Sequence, residues 1–336
     1  MRILGIETSC DETAAAVVEN GRRILSSVVS SQVDIHHLYG GVVPELASRK
    51  HIEAIVPVVE QALTDAGLKQ AQIDAVAATQ GPGLVGALLV GFSFAKAFAY
   101  ARNLRFLGVD HLEGHLSSVL LSDEPPDFPF VALLASGGHT AIYYVKAEGR
   151  HDLLGQTRDD AAGEAYDKVA KMLGLGYPGG RIIDRLARGG NPDHIAFPRP
   201  YLDKQKFDFS FSGIKTAVSR HIQTAGAALT PAQQADIAAA FQAAVVDVLT
   251  HKVLHAAEVK HCRQVAIVGG VAANHGLRER LLREATGHSI ALHLPPTALC
   301  GDNAAMIAAA AHRHFQQGAQ TALQDDVYSR HRRTPV

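Results

Sequence analysis

MRILGIETSCDETAAAVVENGRRILSSVVS, residues 1–30, is the stretch of sequence that decides the fold. Its apolar runs predict three strands, at Ile3–Ile6, Ala14–Glu19 and Ile24–Ser30. Asn20-Gly21 separates the last two runs, and this dipeptide is a strong signal for a two-residue hairpin turn. Residues 130–157, FVALLASGGHTAIYYVKAEGRHDLLGQT, predict strands at Phe130–Ala135, Thr140–Val145 and Asp152–Thr157. The chain is therefore expected to contain the same three-stranded meander twice.

Helices and strands alternate after each meander. The first half predicts helices at Glu45–Ala66, Leu84–Arg102 and Leu112–Leu121, with strands at Ile73–Thr79 and Phe106–Val109. The second half predicts helices at Ala161–Leu173, Gly180–Arg188, from Thr230 onward, Gly276–Thr286 and Asn303–Gln317, with strands at Val265–Val268 and Ser289–Leu294. The prediction is a duplicated βββαβαβα unit, hence an α/β protein with two lobes and a ligand-binding cleft between them. The expected lobes are residues 1–127 and 128–325, with an insertion at about residues 191–228.

The composition fits a globular cytoplasmic protein. The 336 residues have a formal net charge of -1 and are 47% hydrophobic, which excludes a disordered chain and a uniformly basic one. The cysteines Cys10, Cys262 and Cys300 are scattered, so neither a disulfide framework nor a zinc ribbon is expected. A carboxylate at Glu7 comes too early for a signal peptide. Ser93 and Lys96 interrupt the most apolar stretch, so we expect a buried helix and no membrane span.

Histidine is frequent, with 18 residues, and one histidine pair is a candidate metal site. His111 and His115 share one face of a predicted helix that directly follows a strand. Asp302, at the symmetric position of the second half, is expected to supply a third ligand from the opposite lobe. About one such histidine pair is expected by chance, and His251 with His255 forms another in the middle of a long helix.

Small and glycine-rich loops predict a site for a phosphate-containing ligand. Glu7–Thr13 and Ser136–Thr140 occupy the same turn in the two meanders, where backbone N–H groups can face phosphate. Gly269–Asn274 links a buried strand to a helix, and Asn274 is either a ribose or phosphate ligand or a helix N-cap. Asp167 and Asp184 lie near a glycine bend and suit a ribose diol, although a solvated helix face explains them nearly as well.

Two other activities are disfavoured by the residues themselves. Gly81–Gly86 matches G-x-G-x-x-G, but Pro82 removes an N–H where a dinucleotide pyrophosphate needs donors. Glu113 lies one place too late for the H-E-x-x-H motif of zinc proteases.

The segment Arg199–Arg220 combines five basic residues, including Lys204, with interleaved aromatic residues. This pattern is equally consistent with RNA binding and with a folded-back hairpin.

In combination these motifs resemble the tRNA adenosine threonylcarbamoyltransferase family, once labelled O-sialoglycoprotein endopeptidase, from Ile3 to about Tyr328. The residues that carry the resemblance are Gly5–Thr13, His111–His115, Ser136–Thr140, Gly269–Asn274 and Gly301–Asn303. The resemblance implies a fold of the actin, hexokinase and heat-shock ATPase type. It implies transfer of threonylcarbamoyl from threonylcarbamoyl-AMP to the exocyclic amine of the tRNA adenosine 3′ of the anticodon.

The resemblance also implies site residues and partners. It implies one divalent metal ion per chain, iron(II) with zinc as the alternative, held by His111, His115 and Asp302. It implies that the adenylate is bound by Leu134, Ala135, Ser136, Gly137, Gly138, Asp167, Gly180, Asp184 and Asn274. A shorter paralogue of the same fold and a small P-loop ATPase are the implied protein partners.

The chemistry requires a base, because the attacking amine loses a proton; Asp11 and Glu12 are the candidates. A sugar or acyl kinase of the same fold is the alternative function. It would turn over ATP without tRNA. A non-catalytic scaffold is a third possibility, disfavoured by the intact His111, His115 and Asp302.

Overall fold

The structure is a computed structural model and describes residues 1–201, 206–226 and 228–330. Within these ranges it contains ten strands and ten α-helices. The strands are β1 Arg2–Glu7, β2 Glu12–Glu19, β3 Arg23–Ser31, β4 Ala75–Gly81, β5 Arg105–Asp110, β6 Phe130–Ala135, β7 Thr140–Ala147, β8 Arg150–Gln156, β9 Gln264–Val268 and β10 Ala291–His293. The helices are α1 Val33–His36, α2 Pro44–Asp65, α3 Val85–Ala101, α4 His111–Ser118, α5 Ala162–Met172, α6 Gly179–Ala187, α7 Ser212–Ala225, α8 Pro231–Val259, α9 His275–Gly287 and α10 Ala304–Gln316.

Two five-stranded sheets confirm the predicted duplication. The first has the order β3-β2-β1-β4-β5, and the second has the equivalent order, β8-β7-β6-β9-β10. In each sheet the first strand pairs antiparallel with the second strand and parallel with the fourth; Ile3, for example, lies opposite Val18 and Ala75. Asn20 and Gly21 both have positive φ, 53° and 69°, as the predicted hairpin turn requires. The α/β fold class is therefore confirmed.

The first compact unit comprises Met1–Pro125 together with the segment that starts at Gly301. The sequence analysis assigned residues 128–325 to the second lobe, but the structure packs α10 onto β1 of the first sheet. A Cβ at Gly5 would overlap the carbonyl oxygen of Ala304 and lie 3.0 Å from the Cβ of Ala308. The small residues of both elements thus allow a contact that the order of elements along the chain does not reveal.

The second compact unit comprises Pro126–Cys300 and is built around α8. This helix has 29 residues and is apolar enough to cross a membrane by length and composition alone. However, 83% of its most apolar window is buried inside the protein, so α8 is the central core helix of this unit. Its predicted N-terminus is confirmed, because Thr230 and Gln233 exchange side-chain to backbone hydrogen bonds as a capping box.

The insertion differs from expectation because it contains α7, which the sequence analysis missed. The cap of this helix is distant in sequence: Asp159 Oδ1 accepts hydrogen bonds from the backbone N–H groups of Phe211 and Ser212. Two basic residues of the segment are paired with carboxylates: Lys215 with Asp160 at 2.6 Å and Arg199 with Asp247 at 2.8 Å. Lys204 lies outside the described residues.

We expect Gly5→Ala to lower the free energy of unfolding by about 1–3 kcal/mol, because its methyl group would overlap α10. The matched control is Gly213→Ala on α7, whose Cβ would meet no atom within 4 Å. This control should be neutral or stabilising by up to about 1 kcal/mol, since alanine favours a helix over glycine. Thermal and urea unfolding would measure both. Equal stability of Gly5→Ala and wild type would contradict the packing of α10 on β1.

Candidate functional site

A triad of two buried histidines and the half-buried Asp302 brings together the three predicted metal ligands in the first unit. Asp302 Oδ1 lies 3.2 Å from His115 Nε2 and 3.6 Å from His111 Nε2. One ligand atom from each of the three side chains lies within 4.8 Å of the other two. The expected grouping is confirmed, but Asp302 belongs to the same compact unit as the histidines and does not come from the opposite lobe.

Two helix N-termini hold these predicted ligands in place. Asp110 caps α4, its Oδ1 accepting from the N–H groups of Leu112 and Glu113 at 2.9 and 3.2 Å. Asn303 caps α10, its Oδ1 accepting from the N–H of Met306 at 3.0 Å. Asp110 and Asn303 are neighbours of His111 and Asp302 in sequence, so each cap fixes the backbone beside a ligand.

Glu7 lies behind His111 and has no solvent-exposed surface. Its Oε2 accepts hydrogen bonds from His111 Nδ1 at 3.0 Å and from Thr79 Oγ1 at 2.5 Å. Its Oε1 accepts from the backbone N–H of Ser9. Because Nδ1 of His111 faces Glu7, Nε2 is the nitrogen that faces Asp302. The sequence analysis did not single out Glu7 for this role.

Charge holds the Glu7–His111 pair together. Burial lowers the pKa of His111, but the negative charges of Glu7 and Asp302 raise it by more, to about 9. Burial raises the pKa of the Glu7 carboxyl, but the charge and hydrogen bond of His111 outweigh it and leave this pKa below its ordinary value. The buried pair is therefore ionic at neutral pH. A metal ion entering the triad would displace a proton from His111.

His115 tests whether the triad fits a metal ion. Its side chain is fully buried. Among the described residues Nδ1 has no hydrogen-bond partner, and Nε2 lies 3.2 Å from Asp302 Oδ1 without forming a hydrogen bond. A buried imidazole nitrogen without a hydrogen-bond partner is unusual, and an ion in the triad would give Nε2 of His115 a partner. Two imidazoles and one carboxylate accommodate either iron(II) or zinc and leave coordination positions open. The residues therefore fit the expected ion.

The loop between β1 and β2 carries the two candidate bases. Ser9 in this loop contacts His111, its Oγ lying 3.3 Å from Nδ1. Asp11 and Glu12 follow and are half-buried, with Glu12 Oε1 accepting from Ser31 Oγ at 2.9 Å. Burial, aided by nearby negative charges, raises the pKa of the Cys10 thiol well above 9.0. Cys10 is therefore protonated at neutral pH and is not an activated nucleophile.

In the second unit, Leu134 and Ala135 form the buried end of β6, and a glycine turn follows. Ser136 closes this turn, its N–H donating to the carbonyl of His139 at 2.8 Å. A Cβ at Gly137 or Gly138 would meet no atom within 4 Å, so space lies open above the turn. The hydrogen bonds of the described chain use neither the Gly137 nor the Gly138 N–H.

The turn after β9 lies directly beside β6. Gly269 has φ of 91°, and a Cβ there would overlap the carbonyl oxygen of Ala135. Only glycine permits this close approach. Asn274 ends the turn as the N-cap of α9, its Oδ1 accepting from the N–H of Leu277 at 2.8 Å. The N-cap interpretation of Asn274 is therefore present in the structure.

Gln242 of α8 connects two of the predicted ligand-binding residues. Its Nε2 donates to Asp184 Oδ1 at 3.2 Å, and its Oε1 accepts from Asn274 Nδ2 at 2.8 Å. Asp167 contacts the neighbouring glycine bend, its Oδ1 accepting from the N–H of Gly179 at 2.7 Å, and Gly180 follows. Asp184 and Asn274 thus lie together, whereas Asp167 fixes the start of α6. No sequence motif singles out Gln242, which lies inside a long helix.

The structure also agrees with the rejection of the dinucleotide-binding and zinc-protease motifs. A Cβ at Gly81 would overlap the carbonyl oxygen of Tyr328, and one at Gly83 would lie 2.6 Å from Ser9 O. These glycines therefore pack against the protein's own backbone and offer no dinucleotide cradle. Glu113 pairs with His314 at 2.7 Å instead of serving as a protease base. The ring of His251 packs on Tyr201, with centroids 4.7 Å apart.

Solved structures similar to this chain support the fold. Full-length HypF, in its phosphate- and nucleotide-bound form, has a TM-score of 0.65 and 12% identity, covering 95% of this chain and 47% of HypF. The activator of 2-hydroxyisocaproyl-CoA dehydratase from Clostridium difficile, with bound ADPNP, has a TM-score of 0.54 and 17% identity, covering 96% of this chain and 99% of the activator. At these identities the likeness concerns the fold alone.

Sequence relatives are much more similar. The tRNA N6-adenosine threonylcarbamoyltransferase of Desulforapulum autotrophicum is 62% identical over 332 residues, covering 99% of each chain. The relative of the same name from Syntrophus aciditrophicus is 52% identical, covering 98% of this chain and 97% of its own. The family model TsaD, tRNA N6-adenosine threonylcarbamoyltransferase, matches residues 23–309. The chain therefore belongs to the tRNA N6-adenosine threonylcarbamoyltransferase family.

Proposed function

We propose that this chain transfers the threonylcarbamoyl group from threonylcarbamoyl-AMP to the exocyclic amine of the tRNA adenosine 3′ of the anticodon, in the cytoplasm. Family membership supports the reaction type. The observation that carries the proposal is the triad of His111, His115 and Asp302, which the kinase alternative does not require. No relative reported above is a kinase, and the fold likeness alone does not favour one.

The second unit binds the adenylate part of the donor in this proposal. The Gly137 and Gly138 N–H groups donate to the phosphate, since the described chain uses neither of them and space is open beside both residues at the end of β6. Asp184 and Asn274 bind the ribose hydroxyls. Asp167 maintains the bend at Gly179 and Gly180 through its hydrogen bond to the Gly179 N–H.

The first unit holds the ion. His111 and His115 bind it through ring nitrogens and Asp302 through a carboxylate oxygen, iron(II) being the expected ion and zinc the alternative. The bound ion would supply Lewis acidity that anchors or polarises the threonylcarbamoyl group. Glu7 keeps a proton on His111 Nδ1, which leaves Nε2 for the ion, and acts as a positioning residue.

The transfer step balances without a redox partner. The adenosine amine forms a C–N bond with the carbamoyl carbon, and the C–O bond to the phosphate breaks, releasing AMP. The amine proton passes to the carboxylate of Asp11 or Glu12, whose loop also carries Ser9 against His111.

We further propose tRNA, a shorter paralogue of the same fold and a small P-loop ATPase as partners. The pairing of Lys215 with Asp160 removes one cation from the segment expected to contact RNA.

The transfer activity can be measured by nucleoside mass spectrometry. Unmodified tRNA incubated with the chain, its two protein partners, threonine, bicarbonate and ATP should gain threonylcarbamoyl on the adenosine 3′ of the anticodon. Omitting this chain is the control and should abolish the product. ATP-dependent phosphorylation of a sugar or carboxylic acid, with unmodified tRNA, would instead support the kinase alternative.

Loss of a metal ligand should abolish stable metal binding. Asp302→Ala and His115→Ala are each expected to weaken metal affinity by more than about 100-fold, because changes outside the ligands already cost about 10–100-fold. His251→Ala is the control, since its ring packs on Tyr201, and should bind metal like the wild type. Equal metal content in Asp302→Ala and wild type, by elemental analysis, would refute the triad.

Removal of the charge behind His111 should weaken the metal site without removing a ligand. Glu7→Gln is expected to lower metal affinity about 10–100-fold, measured by competition with a chelator. Glu113→Gln makes the same chemical change on α4, where the carboxylate pairs with His314, and should leave metal affinity unchanged. If the two variants behave alike, Glu7 has no special role in the site.

A further inference from the structure

Gln242 occupies a junction of three helices in the second unit. It lies on α8 and is 8% exposed, and its amide joins Asp184 on α6 to Asn274 at the start of α9. Both ends of the amide are used: Nε2 donates to Asp184 Oδ1, and Oε1 accepts from Asn274 Nδ2. Only one orientation of the Gln242 amide satisfies both partners, because a carboxylate cannot donate and the Asn274 nitrogen cannot accept.

The same bonds fix which atoms Asp184 and Asn274 can offer to a ligand. Asn274 Oδ1 already accepts from the Leu277 N–H, so its amide cannot flip without losing both bonds. One Nδ2 hydrogen of Asn274 remains as a donor. The second oxygen of Asp184, Oδ2, is 3.3 Å from the exposed guanidinium of Arg188 and retains a lone pair as an acceptor. A donor beside a carboxylate acceptor matches the hydroxyls of a ribose.

The absence of a side chain at Gly276 makes room for the Gln242 amide. A Cβ at Gly276 would lie 2.7 Å from Gln242 Nε2 and 3.5 Å from Asn274 Oδ1. The Gly276 N–H also points to Asp184 Oδ1, at 3.4 Å. Any side chain at position 276 would therefore displace the Gln242 amide.

We propose that Gln242 is a positioning residue for ribose recognition. It holds Asp184 and Asn274 so that the remaining acceptor of one and donor of the other meet the hydroxyls of the bound adenylate. This inference rests on the proposed adenylate site. Gln242 itself does not contact the ligand, and its effect passes entirely through its two partners.

The test compares ADP with 2′,3′-dideoxy-ADP, which lacks the hydroxyls, by calorimetric titration of the full chain. The wild type should bind ADP more tightly than the dideoxy compound. Gln242→Leu should weaken ADP binding about five- to tenfold, the effect of one or two misplaced hydrogen bonds, and leave dideoxy-ADP binding unchanged. Gly276→Ala should act in the same direction. The control Gly287→Ala lies on the same helix, with its Cβ in open space, and should match the wild type.

Three results would overturn the inference. Equal weakening of both ligands in Gln242→Leu and Gly276→Ala would make Gln242 a structural residue only. Equal affinity of the wild type for the two ligands would show that ribose hydroxyls are not recognised here. If the wild type binds neither ligand, the proposed adenylate site is overturned as well. This outcome differs from the other two because the wild-type chain then shows no nucleotide binding at all. If Gln242→Leu does not fold, Gly276→Ala carries the comparison alone.

Discussion

The negative charge of Glu7, buried without any exposed surface, is the constraint on which the first unit's site depends. An uncompensated buried carboxylate would be strongly destabilising, so the surrounding elements must supply donors. They come from three places: the backbone of Ser9, the hydroxyl of Thr79 at the end of β4, and the imidazole of His111 on α4. Satisfying this one charge therefore fixes the loop after β1 and orients His111, a candidate metal ligand, at the same time.

The two units use the same strand order for different chemistry at the corresponding turn. At the end of β1 lie the buried residues Glu7 and Ser9, which both contact His111 of the candidate metal triad. After β6 the corresponding turn contains Gly137 and Gly138, which leave open space and two N–H groups. A carboxylate and hydroxyl favour a cation site, whereas glycine N–H groups favour an anion. In the proposed function, the duplicated scaffold thus provides a cation site in one unit and an anion site in the other.

Local patterns were sufficient to predict most elements and two members of the candidate metal triad, His111 and His115. The i, i+4 spacing of His111 and His115 depends only on helix geometry, and the strand alternation of each meander is equally local. The assignment of Asp302 to the opposite lobe was wrong, because α10 returns to the first sheet through contacts of small residues such as Gly5. Chain order does not reveal such a return.

Interactions between distant residues account for what the sequence did not disclose. Glu7 is one glutamate at a strand end, and its partner His111 is 104 residues away. Gln242 lies in the middle of a helix, 58 residues from Asp184. The insertion helix α7 is capped by Asp159, 52 residues before Phe211, so no capping signal stands next to it. Each of these features becomes visible only when the fold places the partners together.

The most direct test of the Glu7–His111 pair is nitrogen NMR of the zinc-loaded protein with isotopically labelled histidine. His111 should keep its proton on Nδ1, hydrogen-bonded to Glu7, and bind zinc through Nε2, while His115 also shifts on zinc addition. Binding of zinc through Nδ1 of His111, or a His111 ring that does not respond to zinc, would contradict a site organised by the buried Glu7 carboxylate.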